Sequence, residues 1–173
     1  MKKQNFDQGW EYSELAGFAA RRNPNAWQPV TLPHDAMIGK PRSADSPSGR
    51  SGGYFPGGVA NYRKKFFVPE EWQGQSVQLE FDGVYMNAEV TVNGQMAGSQ
   101  PYGYSSFIVD LTPYLIYGQE NTIGVVANNT AQPNCRWYSG TGIYRHVWLR
   151  TGGRTHIRPW GVFVTTPAAG PDI

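Results

Sequence analysis

The chain has 173 residues, 39% of them hydrophobic and 16% charged, with a net charge of +2 from 15 basic and 13 acidic side chains. The basic residues are scattered, Arg21-Arg22 and Lys64-Lys65 being the densest pairs, so no stripe of charge tracks a phosphate backbone and nucleic acid is excluded as a partner. No apolar run approaches the ~20 residues of a membrane span, and the single cysteine, Cys135, excludes an internal disulfide and offers no metal cluster.

A length of 173 residues suits one domain with a substantial core. The 21 Gly and 13 Pro are spread along the chain, and turn-formers with few charges point to many short strands. Aromatics reach 14%, including 6 Trp and 10 Tyr, which suits either sandwich packing or stacking on the apolar faces of sugars. The start, Met1-Lys2-Lys3-Gln4-Asn5-Phe6, lacks the apolar stretch of an export signal. The chain is therefore expected in the cytoplasm, or in the periplasm or outside the cell if such a signal has been removed.

In chain order, residues 35–60 carry Gly39, Pro41, Pro47, Gly49, Gly52, Gly53, Pro56, Gly57 and Gly58 and read as a long surface loop. A strand is expected over 62–68, then a turn in which Glu70 and Glu71 follow Pro69. Residues 77–82 alternate strictly, putting Val77, Leu79 and Phe81 on one face. Residues 88–92 repeat the pattern, and Asn93-Gly94 suits a type I′ hairpin returning over 95–99. Strands are further expected over 105–109, 122–128, 143–150 and 162–166, with a short turn over 110–115. Residues 128–142 lack periodicity, and 167–173 read as a linker. The class is all-β, with a strand count that fits a jelly roll or related sandwich.

The parts of a catalyst are mostly missing. No Gly-x-Ser-x-Gly elbow supports a triad of Ser139, His34 and Asp35. His34, His146 and His156 lack zinc-ligand spacing, and no glycine loop cradles phosphate. Hydrolysis of a glycosidic bond needs two flanking carboxyl groups. Glu80, Asp82 and Glu89 occupy the polar positions of alternating strands, where a solvated carboxylate is expected. The chain has the parts of a binding domain.

The segment Arg136-Trp137-Tyr138-Ser139-Gly140-Thr141-Gly142-Ile143-Tyr144-Arg145 resembles the motif before a late strand in the sugar-binding domain of family 2 glycoside hydrolases. Leu32-Pro33-His34-Asp35, Tyr62-Arg63-Lys64-Lys65-Phe66, the stretch Phe81-Asp82-Gly83-Val84-Tyr85-Met86-Asn87-Ala88 with Val92-Asn93-Gly94-Gln95, Gly103-Tyr104-Ser105-Ser106-Phe107 and Asp110-Leu111-Thr112 resemble further elements of that family, in its order. Together they cover roughly residues 6 to 167, and the ordered set is specific where any one element is weak.

The resemblance implies a jelly-roll-like, galactose-binding-domain-like sandwich of antiparallel strands over residues 1–167. Residues 168–173 would then lead toward an immunoglobulin-like domain and a (β/α)8 barrel. It implies a retaining exo-β-glycosidase as the parent, most like the β-galactosidases, with both catalytic glutamates in the barrel and about 5 Å between their carboxyl groups. The partners implied are a carbohydrate substrate and the remaining domains of the same polypeptide, in a parent that can be a homo-oligomer. No cofactor or metal is implied for these residues. A free-standing carbohydrate-binding module and a non-catalytic interaction domain are the alternatives.

Four residues stand out for sugar contact. Arg136 presents a planar fork of donors that fits vicinal hydroxyls or a carboxylate; an interdomain salt bridge, or a cation–π stack on Trp137 or Tyr138, is the alternative. Some galactosidase and glucuronidase branches carry an acidic residue about here, so Arg136 bears on which sugar is bound. Asp35 can bond sugar hydroxyls or cap a loop through backbone N–H groups. Trp137 and Tyr138 form either a platform for sugar or a wedge against a neighbouring barrel. Gly140 and Gly142 are expected to allow a tight backbone path, and Arg145 to make a structural pair.

Overall fold

The computed structural model describes residues 1–15, 17–23, 25–168 and 170. Among them the strands are β1 (Lys2–Asn5), β2 (Trp10–Ser13), β3 (Gln28–Val30), β4 (Gly58–Val68), β5 (Ser76–Phe81), β6 (Ala88–Val92), β7 (Gln95–Gln100), β8 (Phe107–Asp110), β9 (Gln119–Asn129) and β10 (Val147–Gly152). A short helix, α1 (Gly17–Arg22), and the 3-10 turns Glu70–Trp72 and Thr112–Tyr114 complete the described elements. The strands form a sheet in the order β1-β10-β5-β8 and another in the order β3-β2-β4-β9-β6-β7, with antiparallel pairing throughout. The chain is an all-β, jelly-roll-like sandwich, as the alternating segments predict.

Period-2 patterning builds the interior. Val77, Leu79 and Phe81 of β5 are fully buried, as are Ile123 and Ala127 of β9, with Val125 nearly so. Phe81 stacks on Phe107 of β8 with ring centroids 4.8 Å apart. Each of these side chains larger than alanine contributes roughly 1.5–3 kcal/mol through removal from water. The hairpin between β6 and β7 turns at Asn93 and Gly94, whose φ values of 50° and 81° match the type I′ turn. Asn93 also stitches neighbouring chain: its Nδ2 donates to Asn121 Oδ1 at 2.7 Å and its Oδ1 accepts from the Thr122 N–H at 2.9 Å.

Several expectations change. The strand expected over 143–150 begins only at Val147; Ile143 is buried, but in irregular chain. Residues 162–166 form no strand: Val162, Phe163 and Val164 are 68%, 90% and 82% exposed. A strand needs a partner for its N–H and C=O groups, and none of the described residues supplies one. Of the expected linker, residues 169 and 171–173 lie outside the described residues.

Glu80 is not solvated. It is buried, Lys3 Nζ lies 3.1 Å from its Oε1, and Arg150 Nε donates to its Oε2. Burial raises its pKa, but the bonds from Arg150 and Lys3 outweigh that and hold it below the usual carboxylate range. Lys64 likewise turns inward from β4, donating from Nζ to the carbonyls of Phe6 (3.1 Å) and Gln8, and lying 3.7 Å from the centre of the Phe6 ring. Burial pushes its pKa down to about 8, with Asp7 opposing.

Candidate functional site

The segment Leu32-Pro33-His34-Asp35-Ala36 runs alongside residues 141–143 as a backbone-paired strap. The His34 N–H donates to the Ile143 carbonyl at 2.9 Å and the Ala36 N–H to the Thr141 carbonyl at 2.8 Å. Leu32 and Met37, buried at 3% exposure each, fasten the strap to the core. His34 Nδ1 meets the Tyr62 hydroxyl at 2.8 Å, and its ring lies 4.7 Å from that of Tyr12. Burial lowers the His34 pKa and raises that of Tyr62, so the pair is neutral near pH 7.

Asp35 joins the loops at this end. Its Oδ1 accepts from the Met37 N–H at 2.8 Å and the Thr141 N–H at 3.0 Å, while the Tyr138 hydroxyl donates to its Oδ2. This is the loop cap that a carboxylate after Pro-His can form, extended to residues more than a hundred positions away. Burial raises the Tyr138 pKa, and the Asp35 carboxylate adds to that rise. Gly142 shows why this path excludes a side chain. Its φ is 134°, and a Cβ there would sit 2.9 Å from the His34 carbonyl oxygen. A Cβ at Gly140 would likewise meet the Asp35 carboxyl carbon at 2.8 Å.

The loop that carries Arg136 springs from Asn129, the buried last residue of β9. Asn129 Nδ2 donates to Thr141 Oγ1 at 3.0 Å, and its Oδ1 accepts from Gln132 Nε2 at 2.7 Å and Asn134 Nδ2 at 2.6 Å. Both stems of the loop are thus tied to one amide. Further along, Cys135 Sγ lies 3.1 Å from the Tyr85 hydroxyl. Burial raises the thiol's pKa, but hydrogen bonding from Tyr85 and its neighbours prevails and lowers it.

The loop displays its aromatics outward. Trp137 is 60% exposed, and its Nε1 donates to the Tyr104 hydroxyl at 3.0 Å. The Tyr138 ring rests on Phe55 from the 35–57 loop, with centroids 4.8 Å apart. Tyr104 packs edge-on against both Tyr85 and Tyr102, at 5.2 and 5.6 Å. The result is a rim of partly exposed aromatics with defined orientations.

The structure brings Asp35 and Tyr138 together directly, with Trp137 beside them on the same loop. Arg136 is exposed, and among the described residues it has no hydrogen bond, ion pair or ring contact. The cation–π stack on Trp137 or Tyr138 is therefore not formed. Arg145 is exposed two residues before β10 and has no ion pair among the described residues, in place of the structural pair expected. Tyr102, Phe55 and Asn129 are not singled out by the sequence, and Tyr104 enters there only as part of the Gly103–Phe107 element. Two tyrosines flanking Gly103 were the available signal for Tyr102 and Tyr104.

Other acidic residues are engaged elsewhere. Asp7 accepts from the Val147 N–H at 2.8 Å and meets His146 Nδ1 at 2.7 Å, Asp82 accepts from Trp148 Nε1 at 2.9 Å, and Glu11 pairs with Arg63 at 2.6 Å. Among the described residues no cluster of three or more His, Cys, Asp or Glu could hold a metal ion.

Comparison with known proteins identifies the domain. The family model for the sugar binding domain of glycosyl hydrolases family 2 matches residues 2–152. Beta-galactosidase BoGH2A of Bacteroides ovatus is 46% identical over 168 residues, covering 95% of this chain and 20% of that protein. A beta-glucuronidase of Bacteroides fragilis is 34% identical over 125 residues, covering 66% of this chain and 18% of that protein. Among solved structures, a family 2 glycosyl hydrolase from Bacteroides cellulosilyticus superposes with a TM-score of 0.88 at 36% identity, over 98% of this chain and 23% of that one. A beta-glycosidase from Bacteroides vulgatus gives 0.83 at 38% identity, over 92% and 21%. The chain spans about a fifth of the length of the curated relatives it matches. The chain belongs to glycosyl hydrolase family 2, as its sugar-binding domain.

Proposed function

We propose that this chain is the N-terminal part of a retaining exo-β-glycosidase of β-galactosidase type, in which its rim completes the pocket around the non-reducing sugar. Residues 1–167 would form the sugar-binding unit and 168–173 the lead into an immunoglobulin-like domain and a (β/α)8 barrel. The observation that carries this reading is the exposed Arg136-Trp137-Tyr138 run, hung on a rigid frame by Asp35 and Asn129. An exposed guanidinium without a partner among the described residues, next in sequence to oriented aromatic rings, suits a polyhydroxylated ring with an apolar face. Arg136 would bond hydroxyls, Trp137 and Tyr138 would stack, and Asp35 would set the loop while its carboxylate edge faces sugar.

The acid/base and nucleophile of such an enzyme would lie in the barrel. The acids of this chain that are engaged in caps and ion pairs support that division, and the 173 residues alone are expected to be inactive. The test is Arg136→Ala in the full-length parent. Loss of a sugar contact lowers kcat/KM by ~10-fold, equivalent to about 1.4 kcal/mol. An unchanged kcat/KM refutes Arg136 as a sugar ligand. Calorimetric titration of the 173-residue chain with galactose separates this reading from a free-standing carbohydrate-binding module. Half a pocket binds no tighter than about millimolar, whereas micromolar binding supports the module.

A further inference from the structure

Away from the rim, the described residues enclose a groove of about 920 Å³. It runs between residues of β5 and β8, the turns that flank them and the segment 154–160, and it shares no residue with the rim. Its size falls within the range of about 300–1,000 Å³ usual for small-molecule sites. We propose that this groove is a second saccharide site, taking an acidic oligosaccharide such as a uronate chain.

The floor supplies hydrogen-bonding groups. Gln78 of β5 lies across from Asp110 of β8 in the sheet register, and both line the groove. Gln78 Oε1 is buried and has no hydrogen-bond partner among the described residues. A buried amide oxygen left unpaired costs about 1–3 kcal/mol, which a ligand hydroxyl in the groove offsets after a small side-chain adjustment. One oxygen of Asp110 is already used, Oδ1 accepting from the Thr112 N–H at 3.0 Å. The other is available to a sugar hydroxyl.

The opposite wall supplies a stacking face and positive charge. Trp160 is 66% exposed and holds a φ of 56°. That left-handed conformation costs a bulky residue about 1–2 kcal/mol. It turns the chain after Arg158, whose carbonyl accepts from the Gly161 N–H at 2.8 Å, and leaves the indole open beside the groove. Arg154 Nε donates to the Gly74 carbonyl at 3.1 Å, which ties this wall to the turn before β5, and its terminal N–H groups have no partner among the described residues. Arg154 and Arg158 line the groove, where Asp110 is the one carboxylate among the lining residues, so the lining carries excess positive charge. A guanidinium fork matches a carboxylate in two parallel bonds, and an indole matches the apolar face of a pyranose. An acidic sugar presents both.

The test is calorimetric titration of the 173-residue chain with tetragalacturonate as the acidic probe and β-1,4-galactotetraose as the neutral one. The expected result is binding of tetragalacturonate that weakens ~10-fold in Trp160→Ala and at least ~5-fold in Arg158→Ala, while Lys65→Ala, an exposed β4 residue of the other sheet paired with Glu120, binds as the parent chain does. Affinity should also fall as salt is raised from about 50 to 500 mM. Both groove residues are exposed, and far-UV circular dichroism checks that the variants fold; Arg158→Ala alone suffices if Trp160→Ala does not. The proposal is overturned by absence of binding up to about 10 mM probe, or by groove variants that bind unchanged. Loss of binding in Arg136→Ala instead would place the sugar at the rim, and equal affinity for the neutral probe would remove the acidic class.

Discussion

Replacing Asp35 by alanine tests whether one carboxylate holds the rim together. Its Oδ1 takes the Met37 and Thr141 N–H groups and its Oδ2 takes the Tyr138 hydroxyl. Hydrogen bonds to a charged group contribute about 1.5–3 kcal/mol each, and Asp35 is half-buried, so the lower end applies. Three at that end, less what entering water restores, leave a loss of about 3 kcal/mol for Asp35→Ala. Asp35→Asn keeps one amide oxygen for both backbone donors and should lose only about 1 kcal/mol. For a chain of this size those losses lower Tm by roughly 6–12 °C and 2–4 °C. Thermal and urea unfolding followed by circular dichroism read both numbers. Variants equal within about 0.5 kcal/mol, or both under 1 kcal/mol, would show that the carboxylate does not anchor the loops.

Gly142→Ala combines a left-handed φ with a clash against the His34 carbonyl, and a loss of about 3 kcal/mol or more is expected by urea unfolding; under 1 kcal/mol would mean the backbone relaxes freely. Lys64, with its pKa pushed down to about 8, binds fewer protons folded than unfolded, so its contribution makes stability rise between pH 8 and about 10.5. Denaturant midpoints across that window should climb in the parent chain relative to Lys64→Met, and parallel curves would refute the assignment. Glu80 has a lowered pKa, so its stabilisation is present above the unfolded value and is lost as pH falls through the folded one. Glu80→Gln should therefore flatten the acid limb below about pH 4.5; an unchanged acid limb would mean Glu80 does not drive it.

The central strands were legible because their patterns are strong. Val77, Leu79 and Phe81 alternate with polar residues, and Asn93-Gly94 marks its turn without help from elsewhere. β1 was not, since Lys-Lys-Gln-Asn has no apolar member and becomes a strand only by pairing with β10. Residues 162–166 failed in the opposite way, having strand composition but no partner among the described residues. Glu80 shows the limit of alternation. The pattern places it on the outer face, but whether that face is wet depends on Lys3 and Arg150, which come from other strands. At the rim, Arg136, Trp137 and Tyr138 were visible as a motif, and Asp35 as a carboxylate after Pro-His. Its grip on Tyr138 and Thr141 was not, because nothing local encodes a bond across more than a hundred residues.

The order β1-β10-β5-β8 has a consequence for biosynthesis. The last strand of the domain is an interior one, hydrogen-bonded to the first strand on one side and to β5 on the other. A nascent chain that has already made β5 presents an open, apolar sheet edge until β10 leaves the ribosome about 70 residues later. At roughly 5–20 residues per second, that interval is ~4–14 s. The domain therefore cannot close progressively from its N-terminus. It must be kept from aggregating until its final strand arrives, and any chain truncated before Val147 would forfeit the four-stranded sheet together with β1.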